Sequence, residues 1–483
     1  MAKEQTKMEK IISLCKRRGL IFPSSEIYGG FNGFWEYGPT GVALRRAVEK
    51  LWWSYMVETR TNVEGLDSTI ISHPRTWDAS GHTAQFSDVM VDNKTTKKRY
   101  RVDALLEQQS EDVVAKISAA VGGLTDLEQV ADALSEKGEE ASTILKESGV
   151  IDPENNKVGD WTEPRQFNLM MSTYVGPVSD EDHKAYLRAE TCQPIFTNFE
   201  TIRIASRQKL PFGIAQVGKA FRNEISPRNF TFRSREFTQM EMEFFCKDEE
   251  AMDWYNYWRD ERITFYKEVL NFCEDDIRIH DHEKLAHYAK AAMDVEFNFP
   301  FGWGELEGVH HRGTWDMSRH SEYSGEDLRY YEQETKEKFY PTVIETSVGL
   351  DRMVLALLCK AYDEDVADTQ KEGKAQDARV VLRFPAAVAP VQVAVLPLSK
   401  KLSDQATPIY KALAKHFRTD IDVTGSIGKR YRRQDEIGTP YCICVDFETA
   451  EDQCVTVRDR DEMTQERVAI ADLQGYFFAK LNS

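Results

Sequence analysis

At 483 residues the chain is long enough for two to four domains, and 41% apolar with 11% aromatic residues is the composition of a folded protein, not a disordered one. A net charge of −18 argues against general binding to polyanions, so any nucleic acid must be met by local basic patches. No apolar run nears the roughly 20 residues of a membrane helix, the start lacks a signal peptide's apolar centre, and the cysteines show no disulfide spacing; a cytoplasmic protein with reduced thiols and no membrane partner is expected.

Met8 to Arg18 predicts a helix closed by Gly19. The stretch FPSSEIYGGFNGFWEYGPTG, rich in glycine and aromatics, predicts a loop with unusual backbone angles. From Gly41 to Thr59, Val42, Leu44, Val48, Leu51, Trp52, Tyr55 and Met56 recur at helical spacing, so a long helix opened by Pro39 is expected. Its functional reading is a dimer-interface helix; the plainer one is a core helix. Leu66 to Ser72 reads as a strand, and Val91 to Asp103 as a short hairpin carrying Arg101. Residues 104–160 are charged, poor in aromatics and weakly helical, as in an inserted helical module, and FNLMMSTYV after it reads as a strand.

Tyr186 to Gln193 is a strand-to-helix turn with Glu190 at the transition, followed by a helix from Pro194 to Gln208 and an apolar strand from Pro211 to Val217. The latter leads into FRNEISPRNFTFRSREFTQMEMEFF, Phe221 to Phe245, which reads as an antiparallel hairpin with a long tip. Period-2 alternation places Arg222 with Glu224 on one face of the first arm, and Phe237, Gln239, Glu241 and Glu243 on one face of the return arm. Acidic helices are expected from Asp248 to Ala292, then a Gly-flanked segment with carboxylates from Gly302 to Val309. Pro341 to Arg352 is strand, glycine, helix, and the helix N-terminus favours an anion beside Arg352. Residues 362–384 form a polar linker, and 385–483 show a β–α–β pattern with a basic turn at Lys429 to Arg433, the mark of a small α/β domain with a largely parallel sheet.

A sheet face that gathers guanidinium, carboxylate and an aromatic ring suits a nucleoside triphosphate: arginine forks onto phosphate oxygens, phenylalanine stacks on a purine, and a carboxylate takes an exocyclic N–H. The plain alternative is a solvated charged hairpin. Gly425-Ser-Ile-Gly428-Lys429 runs into Arg430 and is no phosphate-binding P-loop, and Gly302-Trp-Gly304 lacks the third dinucleotide glycine. His280, His282 and His287 read as a solvated helix face, His310-His311 as structural or surface, and Cys442 and Cys444 as small apolar packing.

Taken together, the Arg-x-Glu hairpin, the ETSVGLDR strand-to-helix turn and the C-terminal α/β domain resemble class II aminoacyl-tRNA synthetases, with motif 1 at about 30–60, motif 2 at 217–245 and motif 3 at 341–358. The texts FPSSEIYGGFNGFWEYGPTG, WTEPRQFNLM, RAETCQPIF and GSIGKRYRRQDEIGTPYC are similar to the single-chain, homodimeric glycyl-tRNA synthetases. The resemblance implies an α+β catalytic core on an antiparallel sheet (1–103 and 161–361) and a C-terminal α/β anticodon-binding domain. It implies activation of glycine by ATP with Mg2+, then transfer to tRNA(Gly), by a cytoplasmic homodimer.

It also implies roles for residues. Arg222, Arg233 and Arg352 are the catalytic cations; Arg222 meets the α-phosphate and Arg233 the distal ones, Glu224 meets the adenine edge, and Phe237 and Arg352 sandwich the adenine. Asn223, Phe232, Ser234, Arg235, Glu236, Glu305, Leu306, Gly349, Leu350 and Asp351 complete the ATP site. Arg101, Glu190, Phe237, Thr238, Gln239, Met240, Glu241, Glu345, Thr346, Ser347, Val348 and Gly349 surround glycine. Glu305 and Glu345 are the magnesium candidates, and Lys429, Arg430, Arg432 and Arg433 the anticodon contacts. Some relatives carry Cys-x-x-Cys where this chain has Asp92-Asn93-Lys94-Thr95-Thr96, so zinc is not expected. The alternatives are a synthetase for another small amino acid, a non-catalytic synthetase-like RNA-binding or polymerase accessory protein, and an ATP-dependent ligase without tRNA. The retained arginines and acids argue against the non-catalytic reading.

Overall fold

The computed structural model describes residues 5–282, 285, 289–365 and 379–481 and has two compact units, 73–189 and the remainder. In the larger unit, helix α1 (Lys7–Arg17) opens with a Thr6–Glu9 capping box and leads into a hairpin of β1 (Ile21–Pro23) and β2 (Trp35–Tyr37). Helix α2 (Pro39–Trp53) follows with proline in its first turn, then β3 (Val63–Gly65). Leu66 to Ser72 is therefore not one strand: only 63–65 and 71–72 are extended pieces.

After helix α3 (Cys192–Ser206) come β4 (Phe212–Phe221), β5 (Glu236–Cys246), helix α4 (Ala251–Thr264), β6 (Ile277–Asp281), β7 (Ala291–Phe299) and β8 (Gly302–Gly313). Helix α5 (Trp315–Ser324), β9 (Thr342–Gly349) and helix α6 (Leu350–Ala361) complete the core. The sheet order is β6-β7-β8-β9-β5-β4-β3, antiparallel except for the β4–β3 edge. The expected helices do not reach Ala292, and Gly302 to Val309 is a strand. Met293, Val295 and Phe297 alternate with Asp294 and Glu296, a period of two that the acid count concealed.

One face of this sheet is closed by helices. Met240, Met242, Phe244, Ile344, Val348 and Val309 are buried with Trp52 of α2, Trp258 of α4 and Leu357 of α6. Inside that layer Arg262 donates to both oxygens of Glu307 at 2.6 and 3.1 Å, and Tyr266 donates at 2.5 Å. Both ions are out of water, so this pair holds register at the cost of desolvation. The apolar stripe of α2 (Leu44, Val48, Trp52) is used in the chain's own core, which is the plainer of its two readings.

The expected linker is partly structured. Strand β10 (Tyr362–Asp365) pairs antiparallel with β11 (Arg379–Leu382), and residues 366–378 lie outside the described ones. The C-terminal region holds β12 (Val393–Pro397), helix α7 (Ser403–Leu413), β13 (Thr419–Ile421), helix α8 (Ile427–Ile437), β14 (Tyr441–Val445), β15 (Cys454–Asp459), β16 (Gln465–Ala469) and helix α9 (Leu473–Leu481). The sheet order is β13-β12-β14-β15-β16, parallel about β12 and antiparallel beyond β14, so it is mixed where a largely parallel sheet is expected. The basic segment 429–433 lies on α8, not in a turn.

In the smaller unit, strands Ser87–Asp92, Arg99–Arg101 and Arg165–Asn168 form one sheet, and helices between 102 and 147 pack on it through Val89, Val91, Val102, Val130 and Leu134. That shared core makes the unit wider than 104–160. Asp152, buried, accepts from Asn93 at 2.6 Å, Thr96 at 2.7 Å and Tyr100 at 2.5 Å, tying the 92–96 segment to the 151–158 hairpin. Among the described residues no helix is long and apolar enough to cross a membrane.

Candidate active site

The open face of the sheet carries the chemistry, and alternation decides which side chains reach it. Along β5 these are Phe237, Gln239, Glu241 and Glu243, ending on Phe245, which α3 covers through Phe196 and Phe199. On β9 the partners are Glu345, paired with Glu243, and Ser347, paired with Glu241; on β8 they are Gly308 and His310. A Cβ on Gly308 would lie 2.5 Å from the His310 ring, so the glycine makes room for that imidazole.

Where β5 begins, a pocket is lined by Arg222, Glu224, Thr231, Phe232, Arg233, Ser234, Phe237, Gln239, Glu305, Ser347, Gly349, Asp351 and Arg352. Arg222 and Glu224 do not alternate on a strand as expected. β4 ends at Phe221, and both lie in the loop, where the Arg222 amide donates to Arg235 at 2.9 Å. The Arg222 guanidinium is 5.5 Å from the Phe237 ring centre. Arg352 lies 4.6 Å from the centre of Phe232, donates to the Phe232 and Glu305 carbonyls at 3.1 Å each, and pairs with the Glu305 carboxylate at 3.2 Å. That guanidinium holds Glu305 below the usual carboxylate range, against the opposing effect of burial.

Asp351 locks three segments together: it accepts from the Thr238 amide at 2.7 Å and from Tyr37 at 2.6 Å, while Arg45 of α2 donates to Thr238 at 2.8 Å. Gly349 has φ −74°, and a Cβ there would make only ordinary contact with Arg352, so the fold itself does not demand glycine.

Deeper along the face the charge reverses. Ligand atoms of Cys192, Glu241, Glu243 and Glu345 all lie within 4.8 Å of one another, and all four residues are buried. Burial pushes Glu241 up to about 8, helped by the nearby Glu345 and Glu190, although Thr191 and Ser347 hydrogen-bond it. Glu243 is raised for the same reason, and neither of its oxygens has a hydrogen-bond partner among the described residues. Glu345 goes the other way. Burial opposes its charge, but Arg312 at 2.6 Å and His310 at 2.6 Å hold its two oxygens and keep it ionised. Asp316 fixes Arg312 through two bonds at 2.8 and 3.0 Å. Glu190 accepts from Gln193 at 2.8 Å and Cys192 at 3.0 Å at the start of α3.

Several expected site residues face elsewhere. Leu306, Met240, Thr346, Val348 and Leu350 are buried, with Met240, Val348, Leu306 and Leu350 in the core behind the sheet. Arg235 donates to the Glu224 and Asn32 carbonyls at 2.8 Å each, Glu236 pairs with Lys219 at 3.0 Å, and Asn223 is in the loop outside the pocket lining. Glu345, with both oxygens engaged and outside the pocket lining, does not suit magnesium; Glu305, ionised and lining the pocket, does. Arg101 belongs to the smaller unit, where Asp103 and Asp88 hold it.

In the C-terminal region Arg430 is buried and donates to the carbonyls of Pro397, Val423 and Gly425, so it supports the loop and is not available to a ligand. Arg433 is held by Asp422 at 2.7 Å, while Lys429 and Arg432 are exposed. The histidines also moved: His280 and His282 sit on and just after the edge strand β6, beside Glu296 and Asp294, and His287 lies outside the described residues. Arg312 is not legible as a site residue in the sequence, and His310, expected to be structural or surface, instead bonds Glu345, because alternation is invisible until 302–313 is known to be a strand.

Known proteins bear on this geometry. A family profile described as "tRNA synthetase class II core domain (G, H, P, S and T)" matches residues 174–361, and one described as "Anticodon binding domain" matches 392–479. The glycine--tRNA ligase of Alkaliphilus oremlandii (strain OhILAs) is 49% identical over 483 residues, covering all of both chains. Those of Staphylococcus haemolyticus (strain JCSC1435) and Staphylococcus aureus (strain JH9) are 48% and 47% identical, covering 98% and 99% of this chain and 99% of each relative.

Proposed function

The chain belongs to the class II glycine–tRNA ligases, and from that membership we propose how its residues share the reaction. ATP and glycine bind along one sheet face, the glycine carboxylate attacks the α-phosphate, pyrophosphate leaves, and the acyl group passes from the adenylate to a terminal ribose hydroxyl of tRNA with release of AMP. The observation that carries this division is the reversal of charge along β5, with arginines around the pocket and carboxylates behind it.

Arg222 stabilises the charge that gathers on the α-phosphate, and Arg233 holds the distal phosphates. The purine lies on Phe237, with Arg352 on its other face and Glu224 at its edge. Glu305 would hold magnesium, which when bound supplies neutralisation of the phosphate charge. Glycine's ammonium sits between Glu241, Ser347 and Glu190. Glu241 is short of nearby cations, so an ammonium is the charge that lets it ionise. A missing methyl is worth only about 1–3 kcal/mol as an attraction, so larger amino acids must meet rigid walls. The bonds that pin Glu345, Arg312 and Asp316 provide such rigidity.

Residues 1–72 with 190–361 form the catalytic core, and 385–481 the anticodon-binding region, where Lys429 and Arg432 meet RNA. A homodimer in the cytoplasm completes the reading. Light scattering tests the homodimer. The test of the reaction is amino-acid-dependent ATP–pyrophosphate exchange with glycine, alanine, serine and proline. Exchange with glycine alone is expected, whereas exchange with another amino acid overturns the glycine assignment.

A further inference from the structure

The loop between β1 and β2, residues 24–34, holds apolar side chains out into water. Ile27 is 87% exposed, Tyr28 88% and Phe31 78%, the three most exposed large apolar residues among those described. Scattered surface apolar residues need no explanation, but three within five positions do.

This loop is built, not loose. Ser25, Gly29, Gly30 and Gly33 all have φ between +53° and +87°, and a Cβ on Gly30 would stand 2.6 Å from the Ser24 carbonyl oxygen. The Ser24 amide donates to Phe34 at 3.1 Å, Tyr28 to Ser25 at 2.9 Å and Gly29 to Glu26 at 2.9 Å. Its base is tied to the arginine-lined pocket. The Arg235 amide donates to Gly33, and the Arg235 guanidinium bridges the Asn32 and Glu224 carbonyls, each at 2.8 Å. Glu224 lines the pocket, so one guanidinium joins the exposed loop to the place where the adenylate forms.

We propose that Tyr28 and Phe31 are a stacking platform for the unpaired 3′ end of tRNA as it enters that pocket. This rests on the ligase reading above. The second substrate must bring its terminal ribose into the pocket that Arg222 and Glu224 line, and unpaired bases offer flat faces that an exposed aromatic ring can cover without sequence readout. Arg228, exposed on the neighbouring loop, supplies charge that a phosphate backbone needs in a chain otherwise strongly negative.

The test uses the full chain with Tyr28→Ala/Phe31→Ala and with Tyr28→Phe/Phe31→Tyr, assayed for glycine-dependent ATP–pyrophosphate exchange, charging of tRNA(Gly), and oligomeric state by light scattering. The alanine pair is expected to raise the tRNA KM by roughly tenfold or more, as loss of base stacking does, with exchange and oligomeric state unchanged, and the aromatic swap is expected to restore charging. Binding of tRNA lacking its unpaired 3′ nucleotides is expected to be equal for wild type and the alanine pair. Unchanged charging overturns the proposal, as does a defect that persists on the shortened tRNA. A change of oligomeric state also overturns it, because the loop then covers a second copy. Loss of exchange in the alanine pair overturns it too, whereas absence of exchange in the wild type is the failure of the ligase reading instead.

Discussion

Glu305 and Glu345 are carboxylates on neighbouring strands, and both are ionised, but by different means. Glu305, half exposed, is paired with Arg352 at the arginine-lined pocket; Glu345, buried, is held by Arg312 and His310. Glu241 and Glu243 share the burial of Glu345 without such close cations, and both are raised. Burial alone therefore does not decide charge on this face; the nearest guanidinium does. One sheet face thus carries arginines around the pocket and buried carboxylates a few residues away.

The contrast breaks most visibly at the cationic end. Arg222→Ala is expected to lower kcat for glycine-dependent exchange by about 100- to 1000-fold, the size of losing a preorganised transition-state donor. Stopped exchange assays check it, and a loss under tenfold would remove Arg222 from the catalytic role.

Burial separates Arg430 from Lys429 and Arg432, which are exposed. Arg430→Ala removes a buried donor from three carbonyls and is expected to cost about 3 kcal/mol of stability. Lys429→Ala and Arg432→Ala are expected to leave the melting temperature alone and each to reduce the salt slope of tRNA binding by about one. Denaturation and binding across salt concentrations measure the two.

A smaller effect follows from proton linkage. Glu241 and Glu243 are raised in the folded state, so the fold keeps protons that the unfolded chain releases above about 4.5. Their contribution is therefore most favourable at low pH and falls as pH rises, for Glu241 as pH climbs toward 8. Glu243→Gln is expected to raise the melting temperature by a few degrees at pH 8 and by less at pH 5. Because glycine's ammonium favours the ionised form of Glu241, the glycine KM is also expected to fall as pH rises toward 8. A pH-independent KM over that range would contradict the link.

Much of this face was legible in the sequence. Alternation from Phe237 to Glu243 places the return arm correctly, because a long β-strand repeats every two residues whatever its neighbours. The opening arm was not legible: Arg222 and Glu224 continue the strand on paper, but the chain leaves the sheet at Phe221. β7 lies almost wholly beyond the acidic helices expected to Ala292, and β8 reads only as a Gly-flanked segment with carboxylates, because Gly302, Gly304 and Gly308 interrupt its alternation. With β8 went Arg312 and His310, whose roles exist only because β9 lies alongside. Lys429 to Arg433 show the reverse error, where a run of like charges says nothing of which member turns inward.

The most direct test of the opposed ends is the pair of Michaelis constants of Glu241→Gln in ATP–pyrophosphate exchange. A glycine KM raised by roughly 10- to 100-fold is expected, the loss of a charge-assisted contact, with the ATP KM within about twofold of wild type. An unchanged glycine KM, or an equal rise in both constants, would contradict it.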